Sequence, residues 1–154
     1  MESTDLDDLF DISKTPQEGV LDDLFKIDPD MIVAGSYALS LYNLLNRGTI
    51  DIDIIVHDNE LIKYLHNNAK KIKGSSLIND HPYVTYIKSF MYKNVKLDII
   101  HRTDIIPTTN LNGLPYKFAT VKHIIEAKRY LIDNNKHKKD IDYIVETILK
   151  NVYI

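Results

Sequence analysis

Two aspartates separated by a single isoleucine, Asp51-Ile52-Asp53, sit inside the apolar run Ile50-Asp-Ile-Asp-Ile-Ile-Val56, and Asp98 sits in a run of the same grammar, Val95-Lys-Leu-Asp-Ile-Ile100. Side chains alternate faces along a strand, so Ile50, Ile52, Ile54 and Val56 point one way and Asp51, Asp53 and Ile55 the other. Aspartate is disfavoured in strands, and like charges at i and i+2 repel unless water or a cation intervenes. In the second run Val95, Leu97 and Ile99 form the apolar face, and Asp98 lies opposite among Lys96, Ile100 and Arg102. If the two runs pair, three carboxylates converge. Such hard oxygen donors suit Mg²⁺ or Mn²⁺, which keep several waters and share their other positions with substrate phosphates. Two such ions roughly 3.5 to 4 Å apart can activate an attacking oxygen and stabilise leaving pyrophosphate. Phosphoryl or nucleotidyl transfer is the chemistry implied. Upstream, Val33-Ala-Gly-Ser36 places a glycine where backbone can approach a ligand and a hydroxyl at a predicted helix N-terminus, where free amides attract phosphate. Gly-Ser before a helix and Asp-x-Asp on a strand each occur widely by chance; their order and spacing together are the specific signal.

These residues need elements to hold them. The pattern predicts a strand over 31–34, a turn at Gly35-Ser36, a helix over 37–45 and a strand over 49–56. A helix over 59–73 follows, with Asp58 as N-cap, Leu61, Ile62, Leu65, Ala69 and Ile72 as its buried face, and Gly74 as its end. Alternating runs over 83–92 and 95–101 predict antiparallel strands joined through Lys93-Asn94, at the length of a tight hairpin but without the favoured Asn-Gly pair. After a loop over 103–114, helices are expected over 120–133 and 137–151, from apolar stripes that include Ile124, Ile125, Ile144 and Ile148. The expected fold class is α/β, a small mixed β-sheet flanked by helices and closed by a C-terminal helical pair.

At 154 residues and 44% hydrophobic content the chain suits one ordinary domain with a real core. It has no cysteine, which excludes disulfides and Cys-ligated zinc and fits a reducing compartment. No apolar run approaches the roughly 18 residues of a membrane-spanning helix, and the start is acidic rather than basic. A soluble, cytoplasmic protein is expected, in the host cytoplasm if the source is viral. Lysine far outnumbers arginine, and Ile, Asn and Tyr are abundant, a composition that fits a virus, a phage or an AT-rich bacterium.

Charge is uneven. Residues 1–30 carry ten acids against Lys14 and Lys26, which leaves the rest of the chain net positive. That balance favours a polyanionic ligand such as a nucleotide or RNA, although a solvated lysine surface has the same composition. The acidic part also contains an imperfect duplication, Asp5-Leu-Asp-Asp-Leu-Phe10 and Val20-Leu-Asp-Asp-Leu-Phe25. Each copy is one turn of an amphipathic helix and is similar in character to peptides that dock in grooves of processivity clamps. The chain therefore divides into an acidic arm over 1–28, a candidate site for a protein partner, and a domain over 29–154. The alternative is that one or both copies pack on the domain itself, the second first.

Taken in order, Ala34-Gly35-Ser36, Asp51-Ile52-Asp53 and Leu97-Asp98-Ile99 resemble the signature of the nucleotidyltransferase superfamily, the fold of DNA polymerase β. The fuller stretches Ala34-Gly-Ser-Tyr-Ala-Leu39 and Arg47-Gly-Thr-Ile-Asp-Ile-Asp53 look most like small bacterial and phage enzymes of this class, including antibiotic-modifying nucleotidyltransferases and abortive-infection-type toxins. In those families a lysine-bearing helix and then a Lys-Asp or Arg-Asp helix start follow the third acid; Lys128 and Lys139-Asp140 occupy comparable places. The resemblance spans about residues 31 to 150. It implies that Asp51 and Asp53 bind the metals and the nucleoside triphosphate, and that Asp98 completes the site and helps deprotonate the acceptor hydroxyl. Gly35 and Ser36 would hold phosphate, and Arg47 and Lys128 would contact the nucleotide, with a strand-orienting Arg47 and a surface Lys128 as alternatives. Asp140 would cap or orient the last helix. The expected activity is metal-dependent transfer of a nucleoside monophosphate from an NTP such as ATP to a hydroxyl of RNA, tRNA, protein or a small molecule. A second reading keeps the fold and makes the chain an inactive adaptor working through its duplicated motif. His57 and His101, at strand ends, receive no role.

Overall fold

The computed structural model describes residues 15–45, 51–72, 81–111, 113–129 and 135–153. Among these residues the elements follow in chain order as α1 (Pro16–Ile27), β1 (Ile32–Ala34), α2 (Gly35–Leu41), β2 (Ile52–Val56), α3 (Glu60–Asn68), β3 (Lys70–Ile72), β4 (Val84–Tyr92), β5 (Val95–Arg102), β6 (Thr108–Thr109), β7 (Lys117–Ala119), α4 (Val121–Arg129) and α5 (Asn135–Tyr153). The strands form one mixed sheet in the order β3-β4-β5-β2-β1-β7-β6. Its centre carries Ile52, Ile54, Phe90, Leu97, Ile99 and Phe118, all with no exposed surface. The α/β class expected from the sequence is the observed one. Among the described residues no helix is long and apolar enough to cross a membrane.

Local chemistry explains the elements that matter for the site. Lys93 and Asn94 both have positive φ, 48° and 65°, as a two-residue turn matched to the strand twist requires. That turn fixes the β4–β5 ladder from Tyr92↔Val95 outward. β2 and β5 lie side by side in parallel, while β1 runs antiparallel to β2 on its other side.

Helix α1 begins where Thr15 accepts the Glu18 amide at 3.2 Å and Pro16 opens the first turn. It contains the second Leu-Asp-Asp-Leu-Phe copy, and every residue of that copy has a use inside the fold. Leu21 and Leu24 are buried in the core. Asp22 accepts from the Tyr116 hydroxyl, and Asp23 accepts from the Tyr92 hydroxyl at 3.1 Å and from Lys93 Nζ at 2.6 Å. Phe25 meets the Tyr116 ring edge-on at 5.6 Å. Although α1 lies N-terminal to residue 28, it is thus part of the core. The first copy, residues 5–10, lies outside the described residues.

Some boundaries differ from expectation. The helix expected over 59–73 stops at Asn68, and Lys70–Ile72 instead pairs with β4. Helical spacing of Ala69 and Ile72 with the preceding leucines concealed the change of period. Asp58 does not cap α3; Asn59 holds the cap position without a side-chain capping bond, and Asp58 accepts the Glu60 amide at 3.1 Å. The helix expected over 37–45 begins at Gly35 and ends at Leu41. The expected loop over 103–114 contains β6, which pairs with β7, and β7 runs parallel to β1.

Candidate active site

One register row crosses the sheet at the candidate site: Ala34 on β1 stands opposite Asp53 on β2, Asp53 opposite Asp98 on β5, and Asp98 opposite Ser89 on β4. In-register neighbours project to one face, so two carboxylates are brought side by side in the middle of the sheet. Burial, followed by the charge of Asp98, pushes the Asp53 carboxyl up to about 7, with Asp51 adding to the rise and Lys128 opposing it. Ser89, itself buried, donates to Asp98 Oδ1 at 2.5 Å. Asp51, expected within the strand, lies just ahead of β2, which begins at Ile52, and has Lys96 Nζ 3.7 Å from its carboxylate.

Gly35 follows Ala34 and opens α2 with φ +67°. A Cβ there would stand 2.8 Å from Asp53 Cγ and nearer still to its Oδ2. The glycine is therefore needed both for its left-handed backbone and because the Asp53 carboxylate occupies the space of a side chain. We expect Gly35→Ala to destabilise the fold by about 1–3 kcal/mol, because the added Cβ needs both a strained backbone and a displaced Asp53 carboxylate. Denaturant unfolding of the purified variant would check this; unchanged stability would mean that the carboxylate is free to move aside.

Ser36 lies in the first turn of the seven-residue α2, and its Oγ accepts from Lys128 Nζ at 3.1 Å. Lys128 is not a surface lysine. It is buried in α4, pairs with the buried Asp140 of α5 at 3.1 Å, and lies 3.3 Å from His137 Nδ1. Asp140 thus joins the last helix to α4 and α2 through Lys128. Arg47 lies outside the described residues. His57 bonds the Asp104 carbonyl at 2.9 Å, near the opposite end of β2 from Asp53, and His101 alternates to the face away from Asp98 and stacks on Tyr86.

Of the residues expected at the site, Gly35, Ser36, Asp53, Asp98 and Lys128 come together, with Asp51 beside them. Among the described residues no group of three His, Cys, Asp or Glu side chains is already gathered as a metal-ligand set; the gathered part is the Asp53–Asp98 pair. The donor set nonetheless fits a hard divalent ion, because it offers carboxylate oxygens in a buried like-charge conflict that a cation would relieve. Ser89 was missed by sequence reasoning, yet a signal existed: the two-residue turn at Lys93-Asn94 places residue 89 opposite residue 98 by counting.

A profile of the family described as "Nucleotidyltransferase of unknown function (DUF6036)" matches residues 7–152. Among solved structures, TM1012 from Thermotoga maritima, solved as a candidate nucleotidyltransferase, is 14% identical, with 82% of this chain and 91% of that chain covered and a TM-score of 0.54. JHP933 from Helicobacter pylori is 22% identical over 75% of this chain and 57% of its own, with a TM-score of 0.39. Another H. pylori chain, also solved as a candidate nucleotidyltransferase, is 20% identical over 74% of this chain and 58% of its own, with a TM-score of 0.40. This chain therefore spans little more than half the length of either H. pylori chain. A search of curated proteins returns no match. The T. maritima likeness shows a shared fold.

Proposed function

The chain belongs to the family described as nucleotidyltransferases of unknown function, DUF6036, and on that premise we propose that it transfers a nucleoside monophosphate from an NTP, such as ATP, to an acceptor hydroxyl. The observation that carries this reading is the in-register Asp53–Asp98 pair seated against Gly35. Asp53 and Asp98, with Asp51, would hold Mg²⁺ or Mn²⁺, which supplies Lewis-acid stabilisation of the charge on the triphosphate. In the transfer, the acceptor oxygen bonds to the α-phosphorus, the bond from that phosphorus to the bridging oxygen breaks, and pyrophosphate leaves. Asp98 takes the hydroxyl proton. Gly35 and Ser36 lie beside the phosphates, and Lys128 adds positive charge behind Ser36; Arg47 is a further nucleotide contact. The acceptor class is RNA or tRNA, protein or a small molecule, and the setting is the cytoplasm.

The adaptor reading loses support from α1, where the second copy of the duplicated motif spends its leucines and both acids on its own domain. The deciding experiment follows label from each of four α-labelled NTPs, with Mg²⁺ or Mn²⁺, into total RNA, cellular protein or the chain itself. Label that disappears in the Asp51→Ala, Asp53→Ala double variant would support the enzyme and identify its nucleotide and acceptor class. No transfer, together with no metal-dependent NTP binding, would overturn it.

A further inference from the structure

Ser89 lies in the interior of β4, 1% exposed, where a hydroxyl is costly unless it is bonded. Its bond goes to Asp98 Oδ1 at 2.5 Å, the short distance of a hydroxyl donating to a carboxylate. Both backbones are held by the sheet: β4 is paired on one side with β3, through Ile72↔Ser89, and on the other with β5, through Ser89↔Asp98. A carboxylate's terminal torsion is otherwise broad. We propose that Ser89 is a positioning residue that fixes the Asp98 carboxylate in one orientation, engaging Oδ1 and leaving the second oxygen to Asp53 and the metal-bound nucleotide.

This rests on the transfer reading above and adds a residue outside the motifs that suggested it. Partners that orient a metal-ligating group are worth about 10–100-fold in metal affinity or activity. The side chain is enclosed, so the comparison is made with the isosteric pair Ser89→Thr and Ser89→Val, both suited to a strand and differing in the hydroxyl, alongside Ser89→Ala.

Mn²⁺ binding is read by electron paramagnetic resonance with a non-hydrolysable ATP analogue present, and folding by thermal unfolding. Ser89→Val and Ser89→Ala are expected to bind Mn²⁺ about 10–100-fold more weakly than wild type, and Ser89→Thr to stay within a few-fold of it. In an Asp98→Asn background, loss of the Ser89 hydroxyl should add nothing. The proposal is overturned if folded Ser89→Val and Ser89→Thr bind Mn²⁺ equally, or if Ser89→Val weakens binding as much without Asp98 as with it. Equal Mn²⁺ binding by wild type and Asp98→Asn would instead bring down the transfer reading itself.

Discussion

Asp53→Asn is expected to reduce nucleotidyl transfer on the order of a thousandfold while making the metal-free protein more stable at neutral pH. Both effects have one origin. The carboxyl is raised from 3.8 to about 7 by burial and then by Asp98, with Asp51 adding and Lys128 opposing. Between those two values the folded chain binds more protons than the unfolded chain, so this group's contribution to stability falls as pH rises through that interval. The whole cost, on the order of a few kcal/mol at 1.36 kcal/mol per unit, is present above about pH 7 and absent below about pH 4. Metal-free wild type should therefore melt at a higher temperature at pH 5 than at pH 8, relative to Asp53→Asn, and Mg²⁺ or Mn²⁺ should flatten the difference. Parallel melting profiles for wild type and variant across that range would refute the account.

Lys128→Met should be the most destabilising substitution among the site residues, by about 3–5 kcal/mol, because it strands a buried carboxylate. The side chains of Lys128 and Asp140 are 5% and 4% exposed. Replacing both, as Lys128→Met with Asp140→Leu, should recover most of that loss in denaturant unfolding, since a buried pair often contributes little net stability over an apolar substitute. Transfer activity distinguishes the pair's two uses. If Lys128 contributes charge to the phosphates through Ser36, the double variant folds yet transfers poorly; if it transfers like wild type, Lys128 is a structural tie alone.

The sequence was most informative where one physical rule acted over several residues. Period-two alternation located β2, β4 and β5 and set Asp53 and Asp98 opposite the apolar faces of their strands, so that they meet once the strands pair in register, while helical stripes located α3, α4 and α5. It was least informative where an element was too short to show a period. β6 has two residues and β3 and β7 three each, and in β3 the preceding helix appeared to continue. Pairings between distant elements were also beyond it: nothing local to Lys128 says that it meets Asp140 or Ser36, because that contact depends on how α2, α4 and α5 pack. The acidic repeat shows the same limit, since one Leu-Asp-Asp-Leu-Phe sequence suits a partner's groove and its own core equally well until Tyr92 and Tyr116 are seen beside it.

The parallel pairing of β2 with β5 has a further consequence, for the order in which the molecule is built. The β4–β5 hairpin closes through two residues and can form within microseconds. Asp53 and Asp98 cannot meet by any such local closure; their ladder waits until the intervening chain has folded back, the slow non-local step of such a topology. During synthesis Lys128 emerges before Asp140, so α4 can settle fully only when α5 has followed it. The Asp53–Asp98 pair is therefore completed only when that non-local ladder has formed, and a chain without it lacks the juxtaposition altogether.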